Sequence, residues 1–198
     1  MESKRIGNYL IEIEQDEDTD CPRGWDNLGT MVCFHRNYRL GDKHNYTHAN
    51  YSGWDEMKKD IIKCENVGVI LPLYLYDHSG ITMNTTGFSC GWDSGQVGFI
   101  FVSKEKILKE LGRKIVTKKL KELVTQFLIG EVEMYDQYLR GDVYGYRIHK
   151  ITECDLGGEH KEEVDSCWGY YGINECMEEA ESIVQDYIEL DNIELNKV

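Results

Sequence analysis

Apolar residues along the chain follow two patterns. Short runs rich in Val, Ile, Tyr and Phe, bounded by Gly or Asn, predict strands, and apolar residues recurring every three to four positions predict helices. The strongest runs are Val67–Tyr76 (VGVILPLYLY) and Val97–Val102 (VGFIFV), expected as central strands. Further strands are predicted over Tyr9–Ile13, Leu28–His35 and Val143–Cys154, with Val164–Tyr171 as the hairpin partner of the last. Between the two central runs, Asp77–Gln96 reads as a long polar connection at the strand ends, a place where a scaffold can present chemistry.

Helical spacing places Trp54, Met57, Ile61, Ile62 and Cys64 on one stripe, capped by Ser52 or Asp55 and ending near Asn66. Ser103 is positioned to cap a helix over Lys104–Leu111, with Gly112 where a stop is expected. Thr117 caps a long helix to about Leu139, whose face comprises Leu120, Leu123, Val124, Phe127, Leu128, Val132, Tyr135 and Leu139 and which Gly130 weakens. The last helix runs from Ile173 to about Leu190 with Cys176, Ala180, Ile183, Val184 and Tyr187 inward. Together these predict an α+β fold, a mainly antiparallel or mixed sheet packed against helices, as a single domain over residues 1–198.

Composition agrees with a folded chain: 41% of residues are hydrophobic and 11% aromatic, which excludes global disorder. The first residues lack the apolar core of an export signal, and no apolar run reaches membrane length, so a cytoplasmic protein is expected. Seven cysteines (21, 33, 64, 90, 154, 167 and 176) form an odd set without a Cys-x-x-Cys pair, which fits reduced thiols. Three of the four tryptophans stand in one tripeptide, Gly24-Trp25-Asp26, Gly53-Trp54-Asp55 and Gly91-Trp92-Asp93. A turn-permissive Gly, a ring that anchors on the core and an Asp that binds nearby backbone N–H groups suit a corner leading into a strand or helix.

Candidate chemistry is sparse. Cys33 and His35, followed by His44 and His48, supply four ligands of the kind zinc accepts, but the spacing matches no familiar finger, and a core cysteine with solvated histidines is the plainer reading. Asp16, Asp18 and Asp20 resemble the start of a calcium loop, yet Cys21 stands where that loop needs Gly and Asn27 where it needs a bidentate Glu. Cys90 lies in a Gly- and Ser-bracketed loop with His78 and Asp93, the residue types of a thiol nucleophile, its base and an orienting group. No Gly-rich phosphate loop, HExxH or Gly-x-Ser-x-Gly motif is present, and no cofactor is expected.

Charge is segregated. The net value is −14, and Glu153–Val198 alone holds fourteen acids against Lys161 and Lys197. Glu12–Asp20 adds six more acids, whereas Ser103–Lys121 carries eight bases against Glu105 and Glu110. An anionic face of this kind repels nucleic acid and attracts basic grooves. Glu14, Asp16, Asp18, Asp20, Glu162, Glu163, Glu178, Glu179 and Asp186 are therefore the candidate partner-binding residues.

The segments LPLYLYDHSGITMNTTGFSCGWDSGQVGFIFVSKEKI, RGWDNLGTMVCFHRNYRLGD and VYGYRI resemble an uncharacterised family of small accessory proteins from bacteriophages and other mobile elements. No activity comes with that resemblance, so no catalytic residue is carried over. It implies an accessory protein acting on host machinery in the infected cell. With the charge pattern, it leads to the expectation of an acidic anti-defence protein, of anti-CRISPR or antirestriction type. Its partner would be a host protein or ribonucleoprotein with a basic groove, without direct binding to nucleic acid or membrane. The alternative is a nucleotide or small-ligand binder, or a thiol-dependent enzyme, using the 77–93 loop.

Overall fold

The computed structural model describes residues 2–153 and 158–195; Cys154, Asp155 and the side chain of Glu194 lie outside the described residues. Eight strands and four α-helices build two four-stranded sheets, every strand pair antiparallel, so the α+β class read from the sequence holds. The chain forms two compact units, one of residues 1–19 and 141–198, the other of residues 20–140.

The first unit is assembled from both ends of the chain. Its sheet has β1 (Glu2–Ile6), β2 (Tyr9–Gln15), β7 (Val143–Glu153) and β8 (Glu159–Tyr171) in that spatial order. Alternation along β2 sends Tyr9, Ile11 and Ile13 to one face, where Tyr146 and Ile148 of β7 join them. That face is covered by α4 (Ile173–Leu195), whose Cys176, Ala180 and Val184 are fully buried. Asp191 fixes the far end of the helix by accepting from Tyr9 Oη at 2.9 Å and from Lys150 Nζ at 2.8 Å. Where the chain leaves and re-enters this unit, Asp16 N donates to Val143 O at 2.8 Å and Gln15 Nε2 to Gly141 O at 2.6 Å.

In the second unit the sheet order is β3 (Thr30–Cys33), β6 (Ser94–Ser103), β4 (Val67–Asp77) and β5 (Ile81–Asn84), with β6 and β4 central as expected. Both faces are buried, which is why β6 reads as an unbroken apolar run. One face packs Met31, Leu73 and Ile100 against Leu120, Val124, Leu128 and Val132 of α3 (Lys118–Arg140). The other packs Val32, Phe99 and Phe101 against Met57 and Ile61 of α1 (Trp54–Cys64). Gly98 is required where β3 crosses closest, because a Cβ there would sit 1.9 Å from Val32 O. Two caps fall as the sequence predicts: Ser103 Oγ accepts from Lys106 N at the start of α2 (Lys104–Glu110), and Thr117 Oγ1 accepts from Leu120 N at the start of α3; α1 differs, since Gly53 stands at its cap, Asp55 lies inside the helix and Ser52 donates to Glu56 instead.

Several details differ from the sequence reading. The Asp77–Gln96 connection is not all loop: β5 returns as a hairpin through Ser79 (φ 58°) and Gly80 (φ 145°), and four residues are too short a run to announce a strand. The polar segment Glu2–Ile6 forms an edge strand that its exposure leaves without alternation. Gly130 sits on the solvent side of a continuous α3, so it costs propensity and nothing more. Leu123 and Phe127 are exposed, because the helical repeat turns them away from the buried line. Of the three Gly-Trp-Asp corners that of Trp54 anchors on the core, its ring 5.9 Å from Phe99; Trp25 is 49% and Trp92 98% exposed.

Candidate functional site

The two units differ sharply in charge. The first carries 21 acids against 6 lysines and arginines, a net of −15, and the second 15 against 16, a net of +1. The acidity of the chain therefore belongs to one unit. Within it the acids play two parts. On the face of the sheet away from α4, Arg147 lies 3.7 Å from Glu14 and 3.4 Å from Glu163, with its guanidinium 5.5 Å over the Trp168 ring. Glu12 sits between His149 at 2.9 Å and Lys161 at 3.1 Å, and the Lys161 ammonium holds its carboxyl below the usual carboxylate range despite burial. Arg147 and Lys161 thus offset most of the charge that Glu12, Glu14 and Glu163 bring to the middle of the sheet.

On the outer side of α4 five acids are not answered. Residues 173–195 hold eight acids and no Lys, Arg or His, and Glu175, Glu178, Glu179, Asp186 and Glu189 are all exposed. Among the described residues, no basic side chain comes within ion-pair distance of these five. Glu181 and Asp191 instead turn towards the sheet, to Lys4 at 2.6 Å and Lys150 at 2.8 Å. A second acidic feature is a concavity of about 540 Å³ lined by Glu14, Asp16, Glu17, Asp18 and Trp168. Asp16 Oδ1 accepts from Asp18 N at 3.1 Å, a local turn that fixes the rim. Glu162 is exposed on β8, whereas Asp20 belongs to the other unit.

The thiol candidates converge on a carboxylate. Asp93 Oδ2 lies 3.4 Å from His78 Nδ1 and 3.9 Å from Cys90 Sγ, while Ser94 Oγ donates to Cys90 O. Asp93 thus stands against the sulfur, where a thiol nucleophile needs its base. His78 is 63% exposed, which leaves it without the packing that holds a catalytic ring in one orientation.

The four metal candidates do not gather into one set of ligands, and among the described residues no three His, Cys, Asp or Glu side chains converge as metal donors. Cys33 is buried in the core, and burial, with Asp42 adding to it, pushes its thiol up to about 12. His35 stacks on Tyr38 and lies 3.8 Å from Asp77. His44 and His48 pack edge-on against Phe34 with ring centroids 4.9 and 5.6 Å away, and His48 also meets Trp54 at 4.8 Å. The density of rings in 33–54 is thus an aromatic cluster rather than a ligand set.

One group was not foreseen from the sequence. Arg23, 4% exposed at its side chain, donates to both oxygens of Asp42 at 3.0 and 2.7 Å, to Glu131 at 3.0 Å and to Gly29 O at 2.8 Å. Burial opposes its charge, but Asp42 and Glu131 outweigh it and raise the guanidinium above its ordinary value. Asp42 also accepts from Met31 N at 2.8 Å, and Glu131 from Leu28 N at 2.6 Å. The node ties the turn before β3, the 40–42 loop and α3 together.

Among the described residues no helix is long and apolar enough to cross a membrane. Compared with known proteins, the chain matches no family model, no curated protein and no solved structure.

Proposed function

We propose that this chain is an acidic, non-enzymatic inhibitor that occupies a basic, nucleic-acid-binding surface on a host protein or ribonucleoprotein, as an anti-defence protein would. The observation that carries the reading is the confinement of the net charge to one unit, −15 against +1, with Glu175, Glu178, Glu179, Asp186 and Glu189 of α4 unanswered by any base among the described residues. A helix of 23 residues spans about 34 Å at 1.5 Å per residue, so its acids form a rod of charge on the scale of a nucleic-acid groove. The acidic concavity adds a second kind of contact, since Asp16, Glu17 and Asp18 on its rim suit an arginine or lysine side chain of a partner.

The test is displacement of a labelled duplex from purified host nucleases and guide-loaded nuclease complexes, run across a salt series. The unaltered chain is expected to displace the duplex, and less well as salt rises. The triple variant Glu178→Lys, Glu179→Lys, Asp186→Lys should lose at least tenfold in potency while keeping its melting temperature. Displacement that ignores salt, or that survives the triple charge reversal, refutes the reading. Plaque formation on cells with and without the responding defence system then ties the binding to its consequence.

A further inference from the structure

The second unit holds a cavity that the acidic reading does not use. It is about 730 Å³ in volume and opens over Phe34, His48 and Trp54, within the range of small-molecule sites. Its remaining wall comes from the loop after β3, where Arg36, Arg39 and Lys43 line it. All three are exposed, and among the described residues no carboxylate lies within ion-pair distance of any of them. Asp42, just before Lys43, also lines the cavity, but both of its oxygens are taken by Arg23 and it makes no ion pair with Lys43. A chain of net charge −14 thus presents three unanswered cations around one ring-lined hollow.

His44 forms part of the same wall. Its Nε2 lies 3.1 Å from Cys33 O, and since a carbonyl only accepts, Nε2 carries the proton of that contact. Its Nδ1 is buried with no hydrogen-bond partner, and His44 lines the cavity. That nitrogen is closed off from the cavity and Nε2 is spent on Cys33 O, so what His44 offers the hollow is ring surface.

From these features we infer that the cavity is a binding site for a nucleoside phosphate. The flat faces of Trp54, Phe34 and His48 suit a purine or pyrimidine ring, and planar guanidinium groups with a nearby ammonium suit its phosphates. A mononucleotide brings a few negative charges to three cations, whereas a long polyanion would also meet the net charge of the whole chain. The site stands apart in sequence from the acids of α4.

Titration calorimetry with ATP as probe tests this, alongside adenosine, inorganic phosphate and a fifteen-residue single-stranded oligonucleotide. ATP is expected to bind, with adenosine and phosphate each at least tenfold weaker, because each carries half of the recognised chemistry. The variant Arg39→Gln/Lys43→Gln, altered only at exposed positions, should weaken ATP about tenfold or more at an unchanged melting temperature. The Glu178, Glu179, Asp186 triple variant should bind ATP as before, which separates this site from the acidic surface. Absence of ATP binding, equal affinity for ATP and inorganic phosphate, or an unaffected double variant overturns the inference. Tighter binding of the oligonucleotide than of ATP also overturns it, in favour of a single-strand surface.

Discussion

Replacing Arg23 by Met tests the node on which the cation-bearing loop depends. The side chain is almost wholly buried, and its stem is matched in volume by Met, so the change removes charge and hydrogen bonds rather than packing. What remains is a pair of carboxylates, Asp42 and Glu131, 21% and 16% exposed, facing a site that has lost its cation. Removing one member of a buried ion pair typically costs about 3–5 kcal/mol. Here the lower end applies, because Asp42 keeps Met31 N and Glu131 keeps Leu28 N as donors. At about 2–4 °C per kcal/mol for a chain of this length, a loss of about 3 kcal/mol lowers the melting temperature by roughly 6–12 °C. Thermal unfolding followed by circular dichroism measures it, and Arg23→Met/Glu131→Gln should recover part of the loss by removing the like charge while keeping an acceptor for Leu28 N. A single variant melting within about 2 °C of the unaltered chain, less than the smallest shift worked out above, refutes the reasoning. The same variant leaves the carboxylate of Asp42 without its partner beside Lys43, so ATP affinity should fall with it.

Two further outcomes follow from the geometry. Hydrogen bonds from Lys150 and Tyr9 hold the Asp191 carboxyl below its ordinary value of 3.8 against the opposing effect of burial, so its stabilising effect is present above 3.8 and lost as pH falls through the lower folded value. Asp191→Asn should therefore lower the melting temperature near neutrality, with a deficit that shrinks on acidification below 3.8; a deficit constant across that range, read from melts in a pH series, rejects it. Gly98→Ala places a methyl group 1.9 Å from Val32 O, and the strands must part to admit it, at a cost of about 1–3 kcal/mol or more. Chemical denaturation measures that cost, and an unchanged midpoint contradicts the close crossing.

Fold class was legible because long periodic segments declare themselves. The unbroken run of β6, the alternation of β2 and the caps Ser103 and Thr117 each reflect a local physical requirement that tertiary packing did not override. Short or edge elements were not legible: β5 has four residues, and β1 is exposed along nearly its whole length, so neither carries a pattern. The two-unit organisation left no linker composition to read, since the chain crosses between Thr19 and Asp20 and between Arg140 and Gly141 within ordinary polar sequence. Site chemistry was legible only as residue types. Proximity in sequence offered Cys33, His35, His44 and His48 as metal-ligand candidates beside the plainer reading of a core cysteine and solvated histidines, whereas strand and loop geometry sends His35 to Tyr38 and the other two rings to Phe34. The cations at 36, 39 and 43 gave no signal of their own, because their meaning depends on where Asp42 points.

The order in which the units close has a consequence during synthesis. The 20–140 unit has all its strands and helices once residue 140 clears the ribosome, whereas β2 waits for β7 and the α4 helix before its apolar face is covered. The nascent chain therefore matures from its middle outward, with the first nineteen residues held open until the last segment arrives. A ribosome-bound fragment stopped shortly after residue 140 would carry a finished 20–140 unit and a leading β1–β2 hairpin whose apolar face is uncovered, and truncation at the carboxyl end would cost the acidic unit while sparing the other.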